Sequence, residues 1–552
     1  MAPQGICLEV HQLERDGAVH ACSGRKSGPW KLRKAREDSD QMDRISLKAK
    51  WFVVGIIFVI CVAPTFISYE PYSFNWDDAV YLQQAIAVSR AFWAGSADGI
   101  DRLREIRFAM DGIRPPAMTL LGLPWGPARS WDVAGNCFVT LACWISTVSA
   151  LCLFLLARIG VKPRFLILAC VCVCAALGPI PANSFAHYQA AALLADSLFA
   201  WTCLAALLLI PHESRTGEQS PRHALLRGIL WGLVLSLGTM TKISFLYFVV
   251  LILLVLMWIR YRRGGLRSCW PVLAGFLISS APSAAYLVRY GHSSFANGGA
   301  SSFGTLSKLY ELSLLPFVAD SVRSSPGLGI FGFGVLIAFA YLFFQRRSRI
   351  FGPDVVALLI AVGFGLIVLA SPNRQIRYSF PLIVSLPFLL AILLSSRGEA
   401  VPRRAAAVVS GLALLVLLAA GFPSRYRTAR HDSLARADAV LAQASRCGDN
   451  TLFMATDSPT LNYPLLHLGV DLSGSTTQIR ALYWSAFAGS PISEDYRMIR
   501  ESDLVVFQDD RALSPPFTNL RVPDYRQYIS QQSELKPTRI GDDLSAFSRH
   551  CK

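Results

Sequence analysis

Asn75-Trp76-Asp77-Asp78 and Arg114-Pro115-Pro116 delimit the stretch around which this chain of 552 residues is organised. Two adjacent carboxylates open the stretch, which is too polar to span a bilayer and too apolar for an ordinary loop. An arginine before two prolines closes it, and the following proline holds that arginine in an extended conformation. This order places a group able to accept a proton and a cation able to bind a phosphate at one membrane surface.

The composition of the whole chain is that of a polytopic membrane protein. Of its residues, 53% are hydrophobic and only 16% are charged, and many mainly apolar runs are long enough to cross the hydrocarbon core as helices. The formal net charge is +16, but the basic residues lie in short connections between apolar runs, as the positive-inside rule describes. Because no basic, aromatic-interleaved patch is found in a soluble region, nucleic-acid binding is not expected.

Eleven membrane spans are predicted, with the N-terminus inside and the C-terminus outside. They are placed at 51–68, 132–157, 165–181, 190–210, 225–240, 243–259, 270–290, 327–344, 354–371, 378–395 and 405–422. Every connection on the predicted inner side is basic, so this topology is self-consistent. The spans on either side of Lys242 are short, and we expect a hairpin that stops at mid-membrane depth with Lys242 at its tip.

Three regions are expected. Residues 1–50 form a basic, disordered cytoplasmic tail. Residues 51–422 form the transmembrane domain, whose first outer loop, 69–131, contains amphipathic helices. Residues 423–552 form a small soluble α/β domain on the outer side of the membrane.

Two apolar runs in the last region predict its sheet. Residues 451–455 and 504–507 are typical of buried strands, with helical patterns between them, and a parallel sheet is one possible arrangement. Cys447 and Cys551 bracket the region, and a disulfide between them is plausible if the region faces an oxidising compartment.

Asp77 and Asp78 have two interpretations. Asn75 is a suitable N-cap, and acids two and three residues later suit a helix start, so the pair could simply stabilise a helix. The alternative is a proton acceptor, since Tyr81 lies one turn on and the segment to Trp93 is amphipathic. A helix lying in the interface would then hold an acid where a lipid head group meets an acceptor.

The cations also have two interpretations. Arg114 could snorkel to lipid phosphates or form a fixed fork for a donor phosphate. Lys242 could reach water or neutralise a phosphate in a cavity. Arg374 and Arg377, next to Tyr378, lie on the predicted outer side against the positive-inside trend, which favours binding of an anion.

Asp196 lies within an apolar run near its outer end, where an ionisable group is costly and a function or a partner is the default hypothesis. His187 and Tyr188 precede it on the outer loop and are candidate substrate contacts with Asp196. His187 favours an interfacial hydrogen bond over a metal, because no second histidine or cysteine keeps ligand spacing.

Several nucleotide and hydrolase motifs are missing from the sequence. It contains no P-loop, no G-x-G-x-x-G after a strand, no HExxH and no G-x-S-x-G. Without a nucleotide-binding fold on the inner side, a sugar donor would have to arrive on a lipid.

The order of these motifs resembles the GT-C glycosyltransferases, in particular the protein O-mannosyltransferase and lipid A aminoarabinose transferase branch. The resemblance covers about residues 50–420 and rests on Asp77-Asp78, Arg114-Pro115-Pro116, Asp196, Lys242 and Arg377-Tyr378. The first pair in the family is usually Asp-Glu, and here it is Asp-Asp.

The resemblance implies a polyprenyl-phosphate-linked sugar donor and transfer on the outer face of the membrane. Single displacement at one face would invert the anomeric centre, and the basic balance and the lack of eukaryotic targeting signals suit a bacterial inner membrane. It implies that Asp77 is the base, with Asp78 as a substitute or a sugar-hydroxyl contact. The implied donor-phosphate ligands are Arg114, Lys242 and Arg377. A divalent metal is possible and no cofactor is required, while the acceptor is unknown and could be a lipid, a glycan or a protein.

Two other classes compete with this interpretation. An O-antigen ligase or polymerase would concentrate essential residues in a late loop, but loop 291–326 is Ser- and Gly-rich, with only Lys308 and Arg323 as cations. A lipid-linked-sugar transporter or flippase often shows repeated halves, and no repeat is visible here.

Overall fold

The fold is taken from a computed structural model of the chain. The structure describes residues 76–95, 97, 101, 116–125, 132–177, 195–216, 220–302, 331–332, 352–370, 376–396, 425–456, 458, 461–480, 491–508, 521–540 and 544–551.

The first part of the described chain is helical. Its elements are α1 (Trp76–Ala94), the 3₁₀ helix η1 (Met118–Trp125), α2 (Asp132–Ile159), α3 (Pro163–Leu177), α4 (Ala195–Arg215), α5 (Pro221–Thr241), η2 (Ile243–Phe245), α6 (Leu246–Ser302), α7 (Pro353–Ala370), η3 (Ile376–Ser379) and α8 (Phe380–Ser396). Gly264 and Gly265 interrupt α6 with non-helical backbone angles.

Five segments among the described residues are long and apolar enough to cross a membrane. They are Val139–Ile159, Ala195–Arg215, Pro221–Thr241, Ile243–Arg289 and Arg377–Ser395, while Pro163–Cys174 and Pro353–Val368 are shorter apolar helices. Apart from residues 331–332, the predicted spans 51–68, 327–344 and 405–422 lie outside the described residues. The count of eleven spans therefore stays a prediction.

The mid-membrane hairpin expected around Lys242 is wrong in its dimensions. Helix α5 has 21 residues, about 31 Å at 1.5 Å per residue, which is enough to cross the hydrocarbon core. The sequence-based estimate was too short because it left out residues 221–224 and Thr241, which belong to the helix. Lys242 therefore follows a helix of full spanning length.

Helices α5 and α6 pack with their backbones in close approach. A side chain at Gly228 would collide with the carbonyl group of Val272, and one at Gly275 would collide with the carbonyl oxygen of Leu225. Farther along the same interface, the hydroxyl groups of Ser236 and Ser283 are 2.9 Å apart. Small residues at such positions allow apolar helices to associate through close backbone contact.

Arginines gather at one end of the helices. Arg215, in the last turn of α4, donates to the carbonyl oxygen of Ile159 at the end of α2 and lies 2.8 Å from the Asp354 carboxylate. Arg263 donates to the carbonyl oxygens of Ser214 and Glu213, the latter at 2.6 Å. We call this the basic end, since it joins three connections that were predicted to be cytoplasmic.

The buried carboxylate of Glu213 organises the basic end. Glu213 is completely buried between Arg260, at 2.6 Å, and Arg227, at 3.3 Å. A buried carboxylate requires such partners, because removing an ion from water is costly unless a nearby opposite charge replaces the hydration.

The last part of the described chain forms a sheet with helices. Its elements are α9 (Arg425–Cys447), β1 (Thr451–Met454), α10 (Tyr463–Ser473), β2 (Gln478–Arg480), α11 (Ile492–Arg500), β3 (Leu504–Gln508), α12 (Val522–Ser530), β4 (Lys536–Arg539) and β5 (Leu544–Ser548). The strand order is β2-β1-β3-β5-β4.

The two predicted buried strands are present as β1 and β3, and they pair in parallel. The sheet is mixed rather than wholly parallel, because β5 pairs antiparallel with both β3 and β4. Phe453 and Phe507 lie in the apolar core of this sheet with Ile499 and Tyr525. The boundary of a separate domain at residue 423 stays a prediction.

Cys447 and Cys551 form a disulfide, as the sequence suggested. Their Cα atoms are 4.8 Å apart, within the range that a disulfide spans. The bond joins the end of α9 to the end of the chain, and it encloses all five strands.

Candidate functional site

Helix α1 begins at Trp76, so Asp77 and Asp78 lie in its first turn. The side chains of both acids are outside the described residues. The helix is as predicted, but its amphipathic character is wrong: the polar Gln84 and Ser89 are buried as deeply as the apolar side chains around them. The reason is tertiary, since α1 is covered by η1 on one side and by α10 on another.

Helix η1 lies directly against α1. The carbonyl oxygen of Gly122 accepts a hydrogen bond from the Ser89 hydroxyl at 3.2 Å, and the Trp93 indole donates to the Leu123 carbonyl oxygen at 3.0 Å. A side chain at Gly122 would approach the backbone of Ala85 to 2.8 Å. Glycine at this position therefore permits the close approach of the two elements.

The residue that follows Arg114-Pro115-Pro116 is hydrogen-bonded to the end of α5. The backbone amide of Ala117, three residues after Arg114, donates to the carbonyl oxygen of Met240 at 2.9 Å. Met240 is two residues before Lys242. The segment after Arg114-Pro115-Pro116 and the turn before Lys242, predicted separately as parts of the site, are therefore neighbours in the fold.

Lys242 lies at a break between two helices. Its backbone is extended, with φ −149° and ψ 134°, and its amide caps α5 by donating to the carbonyl oxygen of Gly238 at 2.9 Å. The Phe245 ring lies where a side chain on Gly238 would be, which allows η2 to fold back on α5. This turn directs the lysine away from the helix that precedes it.

Asp196 and Lys242 form an ion pair. Asp196 is in the first turn of α4, and its side chain is only 4% exposed, whereas the Lys242 side chain is 21% exposed. The Lys242 ammonium also lies 4.6 Å from the Tyr378 ring centroid and 5.6 Å from that of Phe199. Both distances are within the range of cation–π attraction.

Arg377 extends this cationic group. Its guanidinium lies 5.2 Å from the Tyr378 ring centroid, and its Nη2 donates to the Tyr378 hydroxyl at 3.3 Å. Tyr378 therefore contacts two cations, Lys242 through its ring and Arg377 through its ring and hydroxyl. Four of the predicted site residues, Asp196, Lys242, Arg377 and Tyr378, are thereby adjacent.

Phe199, which contacts the Lys242 ammonium, belongs to an aromatic cluster. Phe199 contacts Phe245 and Phe364, and Phe248 packs against both of the latter. Tyr247 closes the cluster by donating to the carbonyl oxygen of Ile360 at 3.1 Å. These rings belong to α4, η2, α6 and α7, so they hold the helix ends that carry the charged groups.

Helix α10 packs against α1 from the sheet-containing part of the chain. The Gln83 amide donates to the Asp471 carboxylate at 2.7 Å, and Arg90 makes a longer contact, 3.4 Å, with the Asp471 carbonyl oxygen. The helix that carries the acidic pair is therefore in direct contact with the C-terminal region.

Other predicted site residues are not placed. Arg114, His187, Tyr188 and Arg374 lie outside the described residues. Tyr81 is described and is buried in α1. Among the described side chains, no three His, Cys, Asp or Glu residues come together in a group that could hold a metal ion. The possible metal was based on Asp77 and Asp78, so that expectation stays untested.

The overall fold of the chain is similar to that of solved structures. ArnT from Cupriavidus metallidurans bound to undecaprenyl phosphate matches 90% of this chain and 98% of its own length, with 12% identity and a TM-score of 0.50. The chain has a GT-C fold. The apo form of the same ArnT matches 91% of this chain and 98% of its own length, with 14% identity and a TM-score of 0.48. No protein-family model and no curated protein sequence matches.

This match confirms the fold that the order of motifs suggested, and the five long apolar helices among the described residues are those of a polytopic membrane protein. Sequence reasoning missed several contributors to the site. Phe199 lies one helical turn after Asp196, so helical spacing could have identified it. The Ala117–Met240 bond and the Gln83–Asp471 contact have no sequence signature, because they join residues far apart in the chain.

Proposed function

We propose that this chain is an inverting glycosyltransferase that moves a sugar from a polyprenyl-phosphate-linked donor to an acceptor at the outer face of a membrane. The observation that carries the proposal is the group formed by Lys242, Asp196, Tyr378 and Arg377 at the ends of three helices of a GT-C fold. It provides two cations in a partly enclosed setting, which suits a phosphate.

The proposed reaction is a single displacement. The acceptor hydroxyl oxygen attacks the anomeric carbon, and the bond from that carbon to the phosphate oxygen breaks. The polyprenyl phosphate leaves with the electron pair, while the hydroxyl proton passes to a carboxylate, which we assign to Asp77 with Asp78 as the substitute. Lys242 and Arg377 offset the charge that grows on the leaving phosphate, and Arg114 and Arg374 complete the proposed set of phosphate ligands.

The packing of α1 on η1 supports a location of the acids near Lys242. Gly122 meets Ala85 and Ser89, and Leu123 meets Trp93, so later residues of η1 meet later residues of α1. The first turn of α1 then lies toward the start of η1. Ala117, the residue just before η1, is hydrogen-bonded to Met240 beside the Lys242 turn. Tyr81, His187 and Tyr188 are our proposed substrate contacts, together with Asp196 and Tyr378.

Charge supports the outer location of the site. The basic end lies at the last turn of α4, whereas Asp196 lies in its first turn, 19 positions earlier and about 28 Å away at 1.5 Å per residue. The positive-inside rule assigns the basic end to the cytoplasm and hence the Lys242 end to the outer face. The Cys447–Cys551 disulfide supports the same side for the C-terminal region, since disulfides persist in oxidising compartments.

The test is transfer of a radiolabelled sugar from a panel of undecaprenyl-phosphate-linked pentoses and hexoses in membranes. Asp77→Asn, Asp78→Asn and Lys242→Gln are compared with wild type at matched expression. Asp354→Asn is the control, because it removes a paired carboxylate at the basic end. We expect a loss of about 100-fold for Lys242→Gln and at least about tenfold for one Asp variant. Full activity in all three variants would contradict the proposed site.

A further inference from the structure

The Lys242 ammonium already has a carboxylate partner before any phosphate arrives. Asp196 contacts it directly and is almost fully enclosed, whereas the lysine is the more exposed member of the pair. The exposed part of the lysine side chain therefore remains open to an incoming anion. An ammonium has three donors, so it can bind a phosphate oxygen while still paired with Asp196.

The charge of the ligand changes during the proposed reaction, on which this inference rests. A phosphodiester donor carries one negative charge. The monoester product carries between one and two near neutral pH, because its second pKa is about 6. A cationic site without a counter-ion would bind the more highly charged product more tightly than the donor. Product release would then limit turnover, as it does in many enzymes.

We infer that Asp196 is a fixed counter-ion of Lys242 that weakens the hold of the site on the product phosphate and so permits its release. Its enclosure in the first turn of α4, with only 4% of the side chain exposed, keeps it from leaving when a phosphate binds. A buried charge close to the bound phosphate is poorly screened by salt. Asp196 is thus a positioning and release residue rather than the base.

The test is binding of radiolabelled undecaprenyl phosphate to the purified full-length protein, with undecaprenol as the uncharged probe. Wild type should bind the phosphate more tightly than the alcohol. Asp196→Asn should lower the Kd for undecaprenyl phosphate by about tenfold or more, while leaving undecaprenol binding unchanged. In turnover assays the same variant should lower kcat and show a burst of one transfer per enzyme.

Three further variants make the result specific. Asp196→Glu keeps the charge and should release the product at close to the wild-type rate. Asp354→Asn, at the basic end, should leave the Kd unchanged. Asp196→Ser replaces Asp196→Asn if the latter does not give a folded protein, and it carries the same expectation.

The outcomes separate this inference from the proposed function. If wild type does not prefer undecaprenyl phosphate over undecaprenol, the proposed donor class is wrong. If wild type shows the preference but the neutral variants bind the phosphate equally or more weakly, Asp196 supports the fold or the lysine only, and the counter-ion role is overturned.

Discussion

The backbone amide of Ala117 donates to the carbonyl oxygen of Met240 at 2.9 Å, which joins the start of η1 to the turn that carries Lys242. This bond links η1, on which α1 rests, to the end of α5. The acid-bearing helix and the cationic turn are thereby parts of one structural unit, and several measurable consequences follow from the packing around it.

The Lys242 turn should be sensitive to the size of residue 238. A valine at Gly238 would collide with the Phe245 ring, so Gly238→Val should displace η2 and move Lys242 away from Asp196. We expect sugar transfer to fall at least about tenfold, because small displacements of a catalytic group are costly. Gly291→Ala is the control, since a side chain there meets no atom closer than 4.0 Å. Equal activity of both variants would contradict the proposed role of the turn.

The α5–α6 interface should not tolerate a larger residue at its closest point. Gly228→Leu places a side chain against the backbone of Val272, and we expect a loss of about 1–3 kcal/mol or more in the free energy of unfolding. Thermal unfolding in detergent measures this. The exposed Leu233 on the same helix is the control, and Leu233→Ala should change the unfolding temperature much less.

The disulfide should stabilise the C-terminal sheet. It joins residues 104 positions apart, and removal of such a bond costs about 2–5 kcal/mol. Cys447→Ser should lower the unfolding temperature of the C-terminal region, and a reducing agent should do the same to wild type but not to the variant. Cys143→Ser, which removes an exposed free cysteine, is the control. Insensitivity of wild type to reduction would argue against the bond.

The contact between α10 and α1 should couple the C-terminal region to transfer. The Gln83–Asp471 hydrogen bond of 2.7 Å should give a coupling energy of about 0.5–1.5 kcal/mol in a double-mutant cycle of Gln83→Ala and Asp471→Ala. Both single variants should also reduce kcat more than they affect donor KM. A cycle on the Arg480–Glu501 pair, which joins β2 to the residue after α11 and does not involve α1, should leave kcat unchanged.

Stability of the C-terminal region should fall in mild acid because of His467. Burial lowers the pKa of His467, which packs edge-on against Tyr463 with ring centroids 4.4 Å apart. The unfolded chain therefore takes up this proton first, near pH 6.5, and stability is lost as pH falls below that value toward the folded pKa. His467→Phe keeps a ring and should flatten the unfolding profile between about pH 7 and 5.

The control for the acid effect is His550→Gln, because the His550 side chain is 53% exposed. Its profile should follow that of wild type. If His467→Phe retains the full wild-type dependence, the acid sensitivity arises from other groups.

The sequence by itself determined the class of protein, because the hydrophobic effect acts on composition and on run length. The apolar runs predicted the helices around Lys242 and Asp196, and the β-branched and aromatic runs predicted β1 and β3. The order of Asp77-Asp78, Asp196, Lys242 and Arg377-Tyr378 was enough to suggest the GT-C fold. Each of these runs and motifs is local, so it can be recognised in a short stretch of sequence.

Tertiary structure alone decided how these residues meet. Three contacts join residues that are distant in the chain: Asp196 with Lys242, Lys242 with Tyr378, and Gln83 with Asp471. No local sequence pattern predicts them. Helix α1 was misjudged as amphipathic for the same reason, since its covering by η1 and α10 buries polar and apolar side chains alike. The sequence pattern predicts a helix with one solvated polar face, whereas packing in the folded protein buries Gln84 and Ser89.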